Sequence, residues 1–380
     1  MTSKSIHEID QFLLNHAMAA VRRNISSCHW SAYGHAIAQD RLDREKHLSK
    51  SDGDIDRSLF TGLGALRTDG ATILPIRLAP EKVSALRRYL EGLPAHAGYH
   101  IFNSDRRPRP LDEVRRDSPY AGYTIDQLLK APYLLDFLNS PAIIDFVENW
   151  IGCVPTLYSI NAWWSFPAER PSGVASQFFH RDTDDWRFVV LFIYLTDVDG
   201  SAGPHQLIAG SQTIDGMEKL ISRARTAGAE RLPPNAEGTF RSGDFGAGFS
   251  AMCERIIKGS GDSLINIAGP AGTVFVANTV AIHRGLMPTR KPRLIVWARY
   301  GLGQNTNSAD LETSPLPRDE VAAELVDTPR NRYINRLLVE FEPKRIRGNG
   351  RFLIGASHFI RRLGGRSKFR QVDHVATRSK

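Results

Sequence analysis

The fold of this 380-residue chain is decided by residues 177–212, which read QFFHRDTDDWRFVVLFIYLTDVDGSAGPHQLIAGSQ. His180 and Asp182 stand near the start of this stretch, two residues apart. The apolar run 188–195 is typical of a buried β-strand, and the turn residues 200–203 separate it from a second short strand. An imidazole and a carboxylate at the rim of a β-structure indicate a metal site.

The His-x-Asp tripeptide is a weak signal by itself, because an isolated motif match is usually an ordinary surface pair. In an extended segment, however, residues i and i+2 point to the same side. His180 and Asp182 can then converge on one ion, while Arg181 and Thr183 face away. Such a site needs a further nitrogen ligand from a distant part of the chain.

The best candidate for that ligand is His283. Residues 272–285 read GTVFVANTVAIHRG, which predicts a strand, a brief turn and a second strand ending in His283. Two His and one carboxylate with open positions form the triad of non-haem Fe(II) oxygenases. His205 is the main alternative ligand, but its place in a turn-to-strand segment favours a structural or substrate role.

A third strand is predicted over residues 293–300, where alternation places Arg293, Ile295 and Trp297 on one face. An arginine that shares a face with Ile and Trp is unusual unless an anion meets it. Arg293 lies ten residues beyond His283. Its guanidinium could therefore form a bidentate pair with a carboxylate of a bound co-substrate.

These motifs together resemble the phytanoyl-CoA dioxygenase-like family. The resemblance rests on the order of His-x-Asp, the segment GPHQLIAGSQ at 203–212, the distal His283 and the arginine ten residues on. The upstream stretch LRTDGATILP at 66–75, followed by a predicted helix over 79–93, is also similar to the opening of that family. The resemblance spans about residues 61–302.

The resemblance implies a mainly β fold with flanking helices and a double-stranded β-helix (jelly-roll or cupin-like) core. It implies Fe(II) and 2-oxoglutarate as cofactor and co-substrate. His180, Asp182 and His283 would hold the iron, and Arg293 would bind the distal carboxylate of 2-oxoglutarate. The chain departs from the family after the distal His, where Arg284 to Met287 stand in place of a frequent Asn or Ser.

Residues 156–166 read TLYSINAWWSF and open the predicted β-core. Alternation predicts one face with Leu157, Ser159, Asn161 and Trp163, and the opposite face with Tyr158, Ile160, Ala162 and Trp164. If the polar face points inward, Ser159 and Asn161 could hydrogen-bond an organic acid. Trp163 and Trp186 would then line the substrate side, although aromatic side chains are also common on buried sheet faces.

Composition places the chain among ordinary globular proteins, with 42% hydrophobic and 24% charged residues. The three cysteines, Cys28, Cys153 and Cys253, are widely spaced, which argues against a disulfide framework and for a reducing compartment. The N-terminal residues lack the apolar core of a signal peptide, and no apolar run reaches the length of a membrane span. We therefore expect a cytoplasmic protein.

The net charge of +8 is concentrated at the C-terminus. Residues 341–380 hold eleven Lys and Arg against two acids, so the other 340 residues carry about −1. Apolar residues are interleaved with these charges. This pattern predicts a possible contact with an anionic surface through 341–380, and a disordered or core-packed tail is an equal alternative.

The predicted organisation has three parts: a helical extension over 1–60, an oxygenase domain over 61–302 with an insertion at 213–261, and a helical extension with a basic tail over 303–380. An insertion of that length is typical of a lid or a disordered segment. Residues 106–116 are expected to form a mobile surface loop. Helices are predicted at 5–23, 124–129, 142–150, 319–325 and 331–341.

The leading functional hypothesis is an Fe(II)/2-oxoglutarate-dependent dioxygenase that hydroxylates an unactivated C–H bond of a small organic substrate. Succinate and CO2 would be the co-products, and dioxygen the second co-substrate. Asp182 itself favours hydroxylation, because halogenating relatives lack that carboxylate. The alternatives are a catalytically silent β-barrel metal-binding protein and a binding module that docks through its basic tail.

Overall fold

The computed structural model describes residues 27–48, 57–98, 107–167, 175–227, 232, 247–261, 263–303 and 315–341. Its helices are α1 (Ser27–Arg44), α2 (Arg57–Thr68), α3 (Pro80–Glu91), α4 (Leu111–Asp117), α5 (Ile125–Leu129), α6 (Leu134–Leu138), α7 (Pro141–Ile151), α8 (Ile214–Thr226), α9 (Ala247–Ser260) and α10 (Pro329–Ile334). Short 3-10 turns occur at Lys46–Leu48, Ala175–Gln177 and Arg318–Glu320.

The strands are β1 (Ala71–Arg77), β2 (His96–Ala97), β3 (Tyr120–Gly122), β4 (Thr156–Ser165), β5 (Phe188–Tyr194), β6 (His205–Ile208), β7 (Leu264–Ile267), β8 (Thr273–Ala277), β9 (His283–Gly285), β10 (Arg293–Gly301), β11 (Leu316–Pro317) and β12 (Val339–Glu340). A major sheet has the order β1-β8-β5-β10-β4-β3-β2, and a minor sheet has the order β7-β6-β9. All neighbours in both sheets are antiparallel. The last two strands form a separate parallel pair.

The two sheets face each other and share one interior. An isolated bridge between His180 and His283 adds a fourth chain segment to the edge of the minor sheet. The central strands β8-β5-β10-β4 therefore oppose four antiparallel segments, and side chains from both sheets meet in one buried cluster. This arrangement is a double-stranded β-helix with flanking helices, and the predicted fold class is confirmed.

Strand β5 shows why an almost continuous apolar run forms the centre of this fold. Phe188, Phe192 and Tyr194 point into the interior, whereas Leu191 and Ile193 point to a cluster under the helices. A strand buried on both faces needs apolar residues at every position instead of an alternating pattern. Strands β8 and β10 are divided in the same way.

Helices cover the outer face of each sheet. On the major sheet, the helix-side cluster contains residues of α2, α3, α5, α6 and α7. On the minor sheet, α8 and α9 pack on Phe179, Ile208 and Ile282. The insertion 213–261 was predicted as a lid or disordered segment, but in its described part it is this helical cover. No helix within the described ranges has the length and hydropathy needed to cross a bilayer.

Local sequence explains where two of the covering helices begin. Thr124 caps α5 through a capping box in which its hydroxyl accepts from the backbone N–H of Gln127. Helix α7 starts with Pro141 at its first position and ends at Gly152, whose φ of 90° is left-handed. Both helices agree with the predicted helices at 124–129 and 142–150.

Some predictions of secondary structure were wrong. Residues 111–117 form helix α4 and not part of a loop, because its acids lie in the first turn and its arginines in the last. The helix predicted at 319–325 is only a 3-10 turn, and 331–341 continues from a short helix into β12. The predicted helix at 5–23 and most of the basic tail lie outside the described residues.

The predicted faces of β4 were also partly wrong. Asn161 lies on the interior side, hydrogen-bonded to Ser159, but Leu157 belongs to the helix-side cluster and Tyr158 to the interior. The cause is a register shift in the pairing with β10, which skips one residue of β4 between Leu157 and Ser159. Such a bulge places consecutive residues on the same face and ends the simple alternation.

Gly203, in the turn before β6, lies very close to the chain segment that follows β9. Gly203 has φ of 72°, and an added Cβ would overlap the carbonyl oxygen of Leu286 and lie 2.7 Å from the nitrogen of Pro288. Gly210 has φ of 79° but no heavy atom within 4 Å of such a Cβ. Gly210→Ala should therefore cost only the left-handed strain of about 1–2 kcal/mol.

Gly203→Ala should cost more, because the close contact adds about 1–3 kcal/mol of overpacking to the same strain. The measurement is the free energy of unfolding from urea denaturation of both variants beside the parent. Equal losses in the two variants would contradict the close approach between the turn and the segment after β9.

Candidate metal centre

The candidate site is built on a pair of backbone hydrogen bonds between two distant segments. The N–H of His180 donates to the carbonyl of His283, and the N–H of His283 donates back, both at 3.0 Å. The N–H of Asp182 donates to the carbonyl of Thr279 at 2.9 Å. The antiparallel pairing places the two imidazole ring centroids 4.2 Å apart.

The three predicted ligands come together. The Nε2 atom of His180 lies 3.8 Å from Oδ1 of Asp182, and the Nε2 atom of His283 lies 3.7 Å from Oδ2. One ligand atom from each of the three residues lies within 4.8 Å of the others, a spacing that can hold a metal ion. Both His side chains are almost fully buried, and Asp182 retains 13% exposure.

Hydrogen bonds on the far side of each imidazole select the tautomer that a metal needs. His180 Nδ1 lies 2.8 Å from the carbonyl oxygen of Phe178, and His283 Nδ1 lies 2.9 Å from that of Ala281. A carbonyl can only accept, so Nδ1 carries the proton in both rings and donates it. The lone pair of each Nε2 is left for a metal ion, and the rings are held in orientation.

The electrostatics of the triad also favour metal binding. Burial lowers the pKa of His283 to about 4, with a further contribution from the neighbouring His180. Burial opposes ionisation of Asp182, but electrostatic interactions with His283, His180 and Arg299 outweigh it and hold the pKa of that carboxyl below its usual value. A neutral imidazole and an ionised carboxylate are the forms that coordinate a cation.

Arg293 lies in the same interior, with 4% of its surface exposed. Its Nη1 donates to the carbonyl of Leu286 at 3.2 Å and its Nη2 to the hydroxyl of Ser165 at 3.4 Å. Its Nε is buried without a hydrogen-bond partner, and it forms no ion pair with any described residue. Gly285 leaves room for this side chain, since a Cβ there would lie 2.9 Å from Nη2.

Two further buried side chains have polar atoms without partners among the described residues. The ring of His205 lies against those of Phe192, Phe275 and His283, and its Nε2 is buried without a hydrogen bond. Burial holds the pKa of His205 well below its usual value. Both amide atoms of Gln177 are also buried and unpartnered. His205 was predicted in a structural or substrate role, whereas Gln177 carries no signal in the sequence.

The other predicted contacts divide into two groups. Asn161 and Trp163 face the interior, where Trp163 meets Trp297 edge-on with ring centroids 5.0 Å apart. The Nδ2 of Asn161 donates to the hydroxyl of Ser159 at 2.9 Å. Trp186 instead packs in the helix-side cluster and lies 5.3 Å from Tyr33 of α1, which supports the packing alternative for this residue.

Sequence reasoning missed an ion pair beside the triad. Asp184 lies 3.1 Å from Nε of Arg299 and accepts a hydrogen bond from the hydroxyl of Tyr158 at 3.2 Å. Arg299 continues the alternation of Arg293, Ile295 and Trp297 along β10, so the period-2 pattern could have identified it. Six residues of strand separate the two arginines by about 20 Å, and Arg299 is the one whose charge reaches Asp182.

Arg284, the first residue after the distal His, has a structural role. Arg284 points away from the interior. Its guanidinium lies 4.1 Å from the ring centroid of Phe179 on the outer side of the minor sheet. It donates to Gln206 at 2.7 Å and forms an ion pair with Glu254 of α9 at 2.7 Å. This residue therefore ties the strand of His283 to the helical insertion.

No family model matches the chain, and no curated protein matches it. Among solved structures, it is similar to HygX from Streptomyces hygroscopicus with nickel, 2-oxoglutarate and hygromycin B bound, at 15% identity and a TM-score of 0.41 over 76% of this chain and 98% of that one. It is similar to the non-heme alpha-ketoglutarate-dependent epimerase SnoN from nogalamycin biosynthesis, at 17% identity and a TM-score of 0.41 over 64% of this chain and 82% of the other.

A third similar structure is EctD from S. alaskensis with 2-oxoglutarate and 5-hydroxyectoine, at 15% identity and a TM-score of 0.41 over 67% of this chain and 79% of that one. Each of these three structures either contains 2-oxoglutarate or is of an alpha-ketoglutarate-dependent enzyme. Their TM-scores are too low to assign a fold or an activity to this chain. The fold and the candidate site follow from the strand order and geometry of the chain itself.

The low pKa of His283 predicts how the stability of the metal-free protein depends on pH. The unfolded His takes up a proton near pH 6.5 and the folded one only near pH 4, so the unfolded state binds more protons between these values. The free energy of unfolding should therefore fall as the pH falls from about 6.5 to about 4. The single group accounts for about 3 kcal/mol at most.

The measurement is urea denaturation in the presence of a chelator at several pH values. The variant His283→Asn removes the titrating group and should show a shallower decrease over the same range. A parent protein whose stability stays level across this range, or rises on acidification, would contradict a buried neutral imidazole at position 283.

Proposed function

We propose that this chain is an Fe(II)/2-oxoglutarate-dependent dioxygenase that hydroxylates an unactivated C–H bond of a small organic substrate. The proposal combines the facial arrangement of His180, Asp182 and His283 with an arginine in the same interior. Two His and one carboxylate are the ligand set of non-haem Fe(II) oxygenases. The double-stranded β-helix brings these ligands together from segments 103 residues apart.

The observation that carries the proposal is the burial of Arg293 without an acid. A buried guanidinium without a carboxylate partner is costly, and it is usually explained by an anion that binds there. A bound dicarboxylate would supply that partner. An arginine fork also matches carboxylate geometry in a way that lysine does not.

The residues present fit iron and 2-oxoglutarate. His180, Asp182 and His283 would hold the metal, and Arg293 with the hydroxyl of Ser165 would bind the distal carboxylate. His205 and Gln177 add unpartnered buried polar atoms that could meet the same co-substrate. Iron(II) with 2-oxoglutarate and dioxygen supplies an oxidant for C–H bonds and releases succinate and CO2.

The chain itself positions the reactants and excludes water. The aromatic rings of Trp163, Trp297 and Phe192 line the interior next to the predicted co-substrate contacts Ser159 and Asn161. An apolar lining with few polar groups is typical of a small-molecule site. Asp184 and Arg299 hold the segment that follows Asp182, so they would act on the metal ligand through its position.

A metal-binding protein without activity is the second candidate, and oxygen-dependent conversion of 2-oxoglutarate to succinate separates the two. A product heavier by one oxygen atom distinguishes hydroxylation from an epimerisation of the kind that SnoN is described to perform. The docking role of 341–380 on an anionic surface remains a prediction, because residues 342–380 lie outside the described part of the chain. The cytoplasmic location also remains a prediction.

The assignment of the metal ligands predicts the outcome of an anaerobic Fe(II) titration. His180→Ala, Asp182→Ala and His283→Ala should each weaken iron binding by more than about tenfold, since even changes to groups behind the ligands reach that size. His205→Asn serves as the control, because His205 lies beside the triad without belonging to it. Retained affinity in a triad variant, or loss in the His205 variant alone, would contradict the assignment.

The role of Arg293 predicts a selective loss of co-substrate affinity. Arg293→Lys keeps the positive charge but removes the fork, so the apparent affinity for 2-oxoglutarate should fall by about tenfold or more. Arg87→Lys is the matched control, because Arg87 lies on α3 outside the barrel and already pairs with Glu91. Titration of 2-oxoglutarate against iron-loaded protein under anaerobic conditions gives both values, and equal affinity in parent and Arg293→Lys would exclude the proposed contact.

A further inference from the structure

A second cavity lies on the outer face of the major sheet, away from the triad. Its volume is about 660 Å³, and it is bounded by the C-terminal end of α3, by α4 and by the end of β4. Cavities of roughly 300–1,000 Å³ are the size of ordinary small-molecule sites. Its lining combines the apolar residues Leu93, Pro94, Pro110, Leu111 and Pro292 with charged side chains.

The floor of this cleft is a pair of aromatic rings. Trp164 and Phe166 are stacked with centroids 5.9 Å apart and an angle of 9° between the rings. The guanidinium of Arg87 lies 5.7 Å from the centroid of Trp164, and that of Arg115 lies 5.5 Å from the centroid of Phe166. A guanidinium that stacks on a ring face is held in place by the ring. Its N–H groups lie in the guanidinium plane and remain available as donors.

The two arginines of the cleft differ in whether an acid pairs with them. Arg87 forms an ion pair with Glu91 at 2.8 Å, so these two charges compensate each other. Arg115 forms neither an ion pair nor a hydrogen bond with any residue that the structure describes. Asp112 also lines the cleft, but it lies in the first turn of α4, where the helix favours a negative charge. Arg115 is exposed and has no acid partner among the described residues, so its N–H donors are accessible to a ligand.

We propose that this cleft is a second ligand site, which binds a small molecule carrying one carboxylate on an apolar body. The carboxylate would meet the N–H donors of Arg115, and the apolar body would lie between the proline and leucine walls above Trp164 and Phe166. This site goes beyond the proposed oxygenase function and does not depend on the triad. A neutral molecule of the same shape would lack the charge-assisted hydrogen bonds.

The test uses isothermal titration calorimetry of the full-length protein with 4-phenylbutyrate and its neutral amide, 4-phenylbutyramide. The acid should bind at least about tenfold more tightly than the amide, as a hydrogen-bonded charge predicts. Arg115→Gln should remove this preference. Arg116→Gln is the matched control, because Arg116 is exposed like Arg115 but does not line the cleft.

A second variant tests the apolar part of the site. Leu111→Trp places a larger side chain in the wall and should weaken binding of both compounds without changing the charge. Equal binding of acid and amide, unchanged binding in Arg115→Gln, or no binding at millimolar concentrations would overturn the proposal. The same holds if Arg293→Lys abolishes binding while Arg115→Gln leaves it intact, since the acid would then occupy the barrel interior.

Discussion

The pairing of His180 with His283 is the constraint on which the candidate site depends. Two reciprocal backbone hydrogen bonds join segments that are 103 residues apart in the chain. A slip of one residue in this register would turn one imidazole to the opposite face of the minor sheet. The neighbouring pair between Leu207 and His283 fixes the same register from the other side of β9.

The two histidines also show the same local arrangement. Each imidazole donates from Nδ1 to the carbonyl two residues before it, at Phe178 and at Ala281. The extended backbone itself therefore orients both rings, and no additional side chain is needed behind them. Burial also leaves Arg293, His205 and Gln177 with polar atoms that no described residue satisfies. An apolar filling would stabilise the fold better, so these groups are better explained by function than by stability.

Several parts of this architecture were accessible from sequence because they follow one periodicity. The apolar run of β5 identified a strand buried on both faces, and the alternation of Arg293, Ile295 and Trp297 placed the arginine inside. The predicted ligands came from His-x-Asp spacing and from a distal His at a strand, and the fold class from the same segments together with the family resemblance. The polar triad was thus predictable from local chemistry plus one long-range pairing.

The remaining features depend on tertiary contacts that no local pattern encodes. The bulge in β4 reverses the face of Leu157 and Tyr158, and the alternating pattern of the sequence does not reveal it. Helix α4 is too short for a clear helical periodicity. The pair of Asp184 and Arg299 is formed across 115 residues of chain, and Trp186 takes its place from a contact with α1.

Strand β4 has a consequence for mutagenesis. Its side chains beyond the bulge alternate between two compartments, so Trp163 and Ser165 belong to the barrel while Trp164 and Phe166 belong to the outer cleft. Strand β4 alone separates the barrel interior from the outer cleft at this point. Neighbouring codons can therefore be randomised as two separate libraries, one that reshapes the barrel interior and one that reshapes the outer cleft.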